Sequence, residues 1–508
     1  MRKLLKSSDR RRLELIELLL EKDNWITISE VATQVNSSTR NLKEDISFLR
    51  SNYPDIGLET SQAGIRIMMD QSIGIQEFYR YILKDTLVFQ VLEEIFFDET
   101  YTVTELAALL HTSNSTLYRA IDSLNAYFSP FGCQVETNPC RIIGDERFIR
   151  NYYRTYFKES TTVLEWPFRN YDEQRINANF NRILSLLTRD SHVEDGFLDF
   201  AFYESVKLMV MVSVHRYHLG HLVDTSKEES IIFNAIFKLL TTFVIPKDMK
   251  ITLNQPMTSE YVYQVFYPYF KKDWAFGVKS LNKLRRKNEQ VDHAITFLEN
   301  DLAALSEKID IEIDTTDLMV ALYGTVYLEE DDPNGMYILY NRNKRFNKMM
   351  EYHFPFVYKS LHKAVVQFRT LLKREDDEDK VNYLVYTLFT SWENLLLDLY
   401  RKYHDISVLI LSDDHYSHAE MMKNLLRFEL TQDIKVETYN GRDLSLDKIK
   451  HSDFDLILTT FKLPPLPDKV CLVVDPYLTY YDINRIVIVI KDILETKRLE
   501  SNAAYETH

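Results

Sequence analysis

A repeat constrains this chain more than any other feature of its sequence. Thr27-Ile-Ser-Glu-Val-Ala32 is followed by Val35-Asn-Ser-Ser38, then by Leu42, Ile46 and Leu49. The same phrase returns 75 positions on, as Thr102-Val-Thr-Glu-Leu-Ala107, Leu110-His-Thr-Ser113, Leu117, Ile121 and Leu124. Without a gap, Glu30 falls on Glu105, Ser38 on Ser113, Gly57 on Gly132 and Arg66 on Arg141. A unit of that length is a small domain copied twice, not the short repeat of a solenoid.

Each copy reads as a helix-turn-helix. A hydroxyl N-cap, Thr27 or Thr102, opens a short helix, and a polar turn supplies the cap of the next one. The second helix buries Leu42, Ile46 and Leu49, or Leu117, Ile121 and Leu124, at helical spacing. Its outward face then carries Arg40, Asn41 and Lys43 in the first copy, and Ser115, Thr116, Tyr118 and Arg119 in the second. Such side chains hydrogen-bond base edges and phosphates in a major groove. A hairpin-like segment follows each helix, around Ala63-Gly64 and around Asn138-Pro139, and places Arg66 and Arg141 on its strands. Helix-turn-helix plus hairpin is a winged helix, so double-stranded DNA is the expected partner.

The net charge of −15 speaks against nucleic acid only on average, because charge acts locally. Arg2, Lys3, Lys6, Arg10, Arg11 and Arg12 face Asp9 alone at the start of the chain, beside the first copy. Three cysteines, Cys133, Cys140 and Cys471, make no disulfide framework and fit a reducing cytoplasm. No apolar run reaches the ~18 residues of a membrane span. No Gly-rich phosphate loop, zinc spacing or nucleophile motif is present, so neither catalysis, a cofactor nor a metal is expected.

Beyond the repeat the pattern is helical to about residue 402, then changes. Residues 10–22 read as a support helix with Leu13, Ile16 and Leu20 inward and Trp25 plugging the first core; residues 72–98 play that part for the second copy. Two phrases, Phe266-Tyr-Pro-Tyr-Phe270 and His353-Phe-Pro-Phe-Val357, look like aromatic helix entrances and hint at a second duplication. From His404, buried strands (Ile406–Leu411, Asp433–Tyr439, Asp455–Thr459, Val470–Val474) alternate with helices, which predicts a small parallel α/β sheet with Cys471 buried in it. The expected fold is mainly α and multidomain. Its parts are winged helices at 1–70 and 71–165, helical bundles at 166–290 and 291–402, and an α/β domain at 403–508.

With that domain order, the duplicated Thr27–Leu49 and Thr102–Leu124 stretches resemble the Mga family of transcription regulators of Gram-positive bacteria. The resemblance implies two phosphotransferase-system regulation domains in the middle and an enzyme IIB-like domain at the end. It further implies a regulator, typically an activator, that responds to carbohydrate status through histidine phosphorylation by a phosphocarrier protein and dimerises partly through its C-terminal domain. His215 is the leading phosphoacceptor on this pattern, since Arg216 and Gly220 after it fit the helix end of a regulation domain. The usual acceptor position of the wider superfamily, seven before that arginine, holds Met209. His218, His293 and His353 are further candidates. Where a catalytic enzyme IIB carries its cysteine, after the first strand, this chain has Ser412-Asp413-Asp414, which argues against phosphoryl transfer there. The alternatives are an operon activator or RNA antiterminator of the wider regulation-domain superfamily, or a phosphocarrier enzyme.

Overall fold

In both copies the chain turns where the repeat says it must. The computed structural model describes residues 1–21, 24–70, 72–178, 180–181, 200–224, 258–269, 275, 277–328, 337–375, 377–403, 406–430, 434–441, 444–467 and 469–506. The first copy runs α1 (Ser7–Leu20), α2 (Ile28–Gln34), α3 (Thr39–Asn52), β1 (Leu58–Ser61) and β2 (Gly64–Ile67). The second runs α4 (Ile75–Asp85), α5 (Leu87–Phe97), α6 (Val103–Leu109), α7 (Asn114–Phe128), β3 (Gln134–Thr137) and β4 (Cys140–Ile143). The support element of the second copy is thus two helices, parted at Thr86; Phe78, Ile82, Leu83, Phe89, Leu92, Ile95 and Phe96, the residues whose spacing turns them inward, are all buried.

Local chemistry explains the match. Thr27 accepts from the Glu30 amide at 3.2 Å, and Thr102 from that of Glu105 at 3.3 Å. Only in the second copy does the glutamate close the box by accepting from the Thr102 amide at 2.8 Å. The turn residues Asn36 and His111 both sit in the left-handed region, at φ of 48° and 51°. The amides behind them, Ser37 and Thr112, close onto Ala32 and Ala107 at 2.8 and 2.9 Å. Gly57 and Gly132 take the left-handed conformation that lets each hairpin begin.

Two details of the first copy differ from the sequence reading. Ile26, not Trp25, fills the core, and it forms an isolated antiparallel bridge with Ile65 of the wing. Leu20 is only half-buried, whereas Leu15 and Leu19 join Leu13 and Ile16 inside.

The chain forms two compact units. The first holds Met1–Asp292, Met319–Lys344 and Asp377–Lys380. In it α8 (Glu146–Ser160) leaves the second wing and packs on α9 (Phe200–His218), which in turn meets α10 (Ser259–Phe266). One apolar core runs through both winged domains into α8. The heads also touch directly, as Tyr53 donates to Asp85 at 2.9 Å and stacks on Tyr81. Phe266–Tyr269 proves to be a helix exit, with α10 ending and a 3-10 turn following, whereas Pro355 opens a helix. The two aromatic phrases are therefore not equivalent. Helix α11 (Val278–Arg285) follows; the apolar pattern at Phe233–Val244, which also reads as a helix, lies outside the described residues, as do residues 270–274.

The second unit holds His293–Leu318, Arg345–Asp376 and Val381–His508. Helices α12 (Glu289–Ile309), α13 (Thr316–Leu328) and α14 (Arg342–His353) run across the division between the units. Then come α15 (Pro355–Leu371), α16 (Glu378–Ser391) and α17 (Leu395–Tyr403), the last two parted at Asn394, which has φ of 58°. The C-terminal part is β5 (Ser407–Leu411), α18 (Tyr416–Glu429), β6 (Lys435–Thr438), α19 (Leu446–Lys450), β7 (Leu456–Thr459), β8 (Val470–Val473) and α20 (Tyr480–Glu506). Its four strands are all parallel, in the order β6-β5-β7-β8. Because β8 is an edge strand, Cys471 is exposed and not buried as expected. After β5, the Ser412 hydroxyl donates to His418 Nδ1 at 2.8 Å, and His418 Nε2 donates to the Pro476 carbonyl at 3.0 Å. Among the described residues no helix is long and apolar enough to cross a membrane, and no group of three potential metal ligands is assembled.

Candidate nucleic-acid interface

Helix phase decides which side chains each head can offer. With Leu42, Ile46 and Leu49 turned inward, Arg40, Lys43 and Glu44 share the exposed face of α3. Arg40 is 87% exposed and pairs loosely with Glu44 at 3.2 Å, a surface contact that a phosphate can displace at little cost. Asn41 is half-buried; its amide donates to the Ser38 cap, and its side chain lines an open cleft of about 600 Å³ with Ser7, Arg10, Asn36 and Ser38. On α7, Ser115, Tyr118 and Arg119 are exposed, Tyr118 at 48% despite its apolar ring. Arg119 leans back on the Ser115 carbonyl at 3.2 Å. Thr116 turns toward the helix start, where its amide and hydroxyl both meet the Ser113 cap. It is half-buried, unlike Ser115.

Each wing carries its arginine in a cross-strand pair with a glutamate. Arg66 lies opposite Glu59 and contacts it at 2.7 Å, and Arg141 does the same with Glu136. Arg66 also stacks its guanidinium 4.7 Å from the centre of the Trp25 ring. The hairpins are offset by two residues in register, since the position equivalent to Glu59 is Gln134. The arginines nonetheless occupy matching places.

The structure reassigns much of the N-terminal basic cluster. Asp45 is 1% exposed on the buried side of α3 and accepts from both Arg11 and Arg12, the latter at 3.0 Å. Arg12 also pairs with Asp9 and covers the face of Phe48, its carbon 3.5 Å from the ring centre. Arg2 grips Glu17 and the Leu339 carbonyl. Lys3, Lys6 and Arg10 stay exposed, and Arg10 shares the cleft lined by Asn41 of α3. The signal was there: Asp45 is three residues beyond Leu42, on the apolar stripe.

A latch that the sequence did not announce fixes each recognition helix to its wing. Arg50 Nε donates to the Leu58 carbonyl at 2.9 Å. At the equivalent position, Asn125 donates to the Val135 carbonyl at 3.1 Å and accepts from its amide at 2.6 Å. The two latches use different chemistry for one purpose; Arg50 and Asn125 hold equivalent places, but the wing residues they reach, Leu58 and Val135, do not.

The histidine candidates are dispersed. His215 is 4% exposed; its Nε2 donates to the Phe96 carbonyl at 2.6 Å, so its Nδ1 is the acceptor for the Tyr171 hydroxyl at 3.2 Å. Burial pushes its pKa down to about 4, and the imidazole is neutral. His218, three residues on, is exposed, and its Nδ1 lies 3.2 Å from the same Tyr171 oxygen. His293 is exposed on α12, and His353 is half-buried near the rings of Tyr352, Phe354 and Tyr400.

Comparison with known proteins agrees with this geometry. The HTH domain of the M protein trans-acting positive regulator (MGA) matches residues 7–62, and the Mga helix-turn-helix domain matches residues 71–157. The PRD domain of the same regulator matches residues 183–395. The chain is 26% identical over 473 residues to a putative trans-acting regulator of Streptococcus pneumoniae serotype 4, covering 92% of this chain and 94% of that protein. It is 24% identical over 478 residues to the capsule synthesis positive regulator AcpA of Bacillus anthracis, covering 89% and 93% respectively.

Proposed function

The chain belongs to the Mga family of DNA-binding transcription regulators, and on that premise we propose how it engages DNA and how it is controlled. Each head sets its second helix, α3 or α7, in a major groove and lays its wing along the adjacent backbone. The observation that carries this reading is the pair of exposed faces, Arg40 and Lys43 on α3 and Ser115, Tyr118 and Arg119 on α7, each with a wing arginine at the same offset. Few of these groups can discriminate bases, so DNA shape supplies a large part of selectivity. The protein acts as an activator.

Control runs through the regulation domains. A phosphocarrier protein donates to a histidine there, and the roughly two negative charges it adds shift subunit packing by analogy with other phosphoresidues. Of the first pair, exposed His218 is better suited than His215, which is buried. His293 and His353 are the candidates further along. The C-terminal domain serves self-association into a homodimer; Met421, Leu425 and Phe428 form an exposed apolar stripe on α18 that suits such a contact. The enzyme IIB-like reading of that domain carries no transfer chemistry, because serine stands where a thiolate would be needed.

Salt titration tests the DNA contacts. The probe is a duplex selected by the wild-type protein from a random-sequence pool. Lys43→Ala and Arg119→Ala are each expected to flatten the slope of log affinity against log salt by about one, the signature of one lost phosphate contact. Unchanged slopes in both variants would remove these helices from the interface.

A further inference from the structure

We infer that Arg216, at the end of α9, is a positioning residue for the second DNA-binding head, through residues that the first copy does not repeat. The inference rests on the DNA-binding reading above and adds to it the part that sets where the second head lies.

Arg216 is fully buried and binds three separate pieces of the second head with one guanidinium. It donates to Glu99 at 2.7 Å, in the segment between α5 and α6 that leads into the helix-turn-helix. It donates to the Ile142 carbonyl at 3.3 Å, on the second wing strand. It also forks onto Glu146, the first residue of α8, at 2.7 and 3.1 Å. The head returns the contact. Arg150 of α8, equally buried, holds the same Glu146 at 2.9 Å and reaches out to the carbonyls of Gln264 at 2.5 Å and His221 at 3.0 Å. His221 completes the ring by donating to Glu99 at 2.7 Å. Two arginines against two glutamates leave the cluster neutral, and every charge in it meets an opposite one.

Such a cluster is tolerant of nothing in between. A buried ion pair is held by exact partners, and removing one leaves the other charge stranded in low dielectric. The planar fork matters as much as the charge, because lysine offers a point charge and cannot serve three acceptors in one plane. A helix tied at the entrance, the wing and the exit of a winged domain fixes that domain's orientation. The repeat sharpens the point. The first copy has Asn24, Gln71 and Ile75 where the second has Glu99, Glu146 and Arg150. The duplicated sequence thus keeps the reading parts of the heads alike and makes their attachments different. Movement of α9 therefore reaches the second head through this cluster.

The test uses the full chain and hydroxyl-radical footprinting on the duplex selected by the wild-type protein. Arg216→Lys keeps the charge and loses the fork; the double variant Arg216→Met with Glu99→Gln keeps the cluster neutral. Lys43→Ala identifies the stretch protected by the first head. Both Arg216 variants are expected to keep that stretch, to lose or smear the stretch protected by the second head, and to bind about tenfold more weakly, the scale of coupling carried by such contacts. Arg119→Ala should weaken the second stretch in place, without smearing it. Folded variants that protect both stretches as wild type does would overturn the inference. So would a loss of folding in both variants, which would make the cluster a core element only. If the wild-type protein protects no DNA, the DNA-binding reading fails first, and independently of Arg216.

Discussion

His215 offers a quantitative check on the way α9 meets the second head. Its pKa is lowered from 6.5 to about 4, chiefly because burial penalises the imidazolium. Arg216 and His218 push in the same direction, while the Phe96 carbonyl and Glu99 oppose them. In the unfolded chain the ring takes up a proton below its ordinary pKa; in the folded chain it resists until about 4. Between those values the unfolded state binds more protons. Stability from this group is therefore complete above the ordinary pKa and is lost progressively as pH falls toward the folded one, a swing of about 3 kcal/mol. His215→Gln keeps a donor for Phe96 and an acceptor for Tyr171 but cannot titrate. Relative to wild type, the variant should gain about 3 kcal/mol of stability on going from neutral pH to about pH 4. Denaturant unfolding monitored at several pH values measures that difference. Deuterium exchange at the imidazole C2 carbon, read by mass spectrometry with the variant as the assignment control, gives the histidine's own titration. A His215 that titrates near its ordinary value, together with a variant whose pH profile runs parallel to wild type, would refute the burial argument and restore the ring as an open acceptor.

Glu159 predicts the opposite slope. Half-buried at the end of α8, it has its pKa raised from 4.5 to about 7 by desolvation, which outweighs the amides of Ile338, Leu339 and Tyr340 that donate to it and favour the carboxylate. Here the folded state holds the extra proton, so its contribution is present at low pH and is lost as pH rises through that window; Glu159→Gln should remove a falling slope of about 3 kcal/mol in the same unfolding assay. Since the two slopes oppose, each single variant should expose the one that remains and the double variant should lose both; a double variant that keeps either slope would reject that assignment. Asp45→Asn leaves Arg11 and Arg12 facing a neutral amide and should cost about 3 kcal/mol in the first head. Wild-type stability in that variant would mean the arginines turn out to solvent without loss.

What the sequence disclosed and what it withheld divide along sequence distance. The helix-turn-helix units were legible because their determinants are local: Thr27 and Thr102 cap, Ala32 and Ala107 stay small, and Leu42-Ile46-Leu49 repeats at helical spacing. The α/β end was legible for the same reason, since β-branched and leucine runs alternate with helical ones. Where a side chain's fate depends on a distant partner, the reading fell short. Arg10, Arg11 and Arg12 are one residue type in a row, yet α1 turns two of them onto Asp45 and leaves the third in solvent. The apolar strand around Cys471 reads as core, and only the strand order shows that β8 is an edge. His215 was singled out for the arginine and glycine after it, and nothing nearby in sequence announces the Phe96 carbonyl that occupies its ring.

The same division explains why two copies of one pattern need not do one job. The recognition helices are alike because each is specified within its own fifteen or so residues, by caps and apolar spacing that duplication preserves. Charge is not preserved: α3 offers Arg40 and Lys43 beside Glu44, with Arg10 close by, whereas α7 offers Arg119 beside Asp122. Attachment is not preserved either, since Glu99, Glu146 and Arg150 belong to the second copy only. A head with more exposed cation gains more from phosphate neutralisation and counterion release, and that gain is indifferent to base sequence. A head with less cation, held rigidly by a buried guanidinium, depends on groups such as Ser115 and Tyr118 reaching one geometry, which makes it sensitive to position. On the proposed reading the first head would supply more of the salt-dependent affinity, and the second more of the position-dependent part.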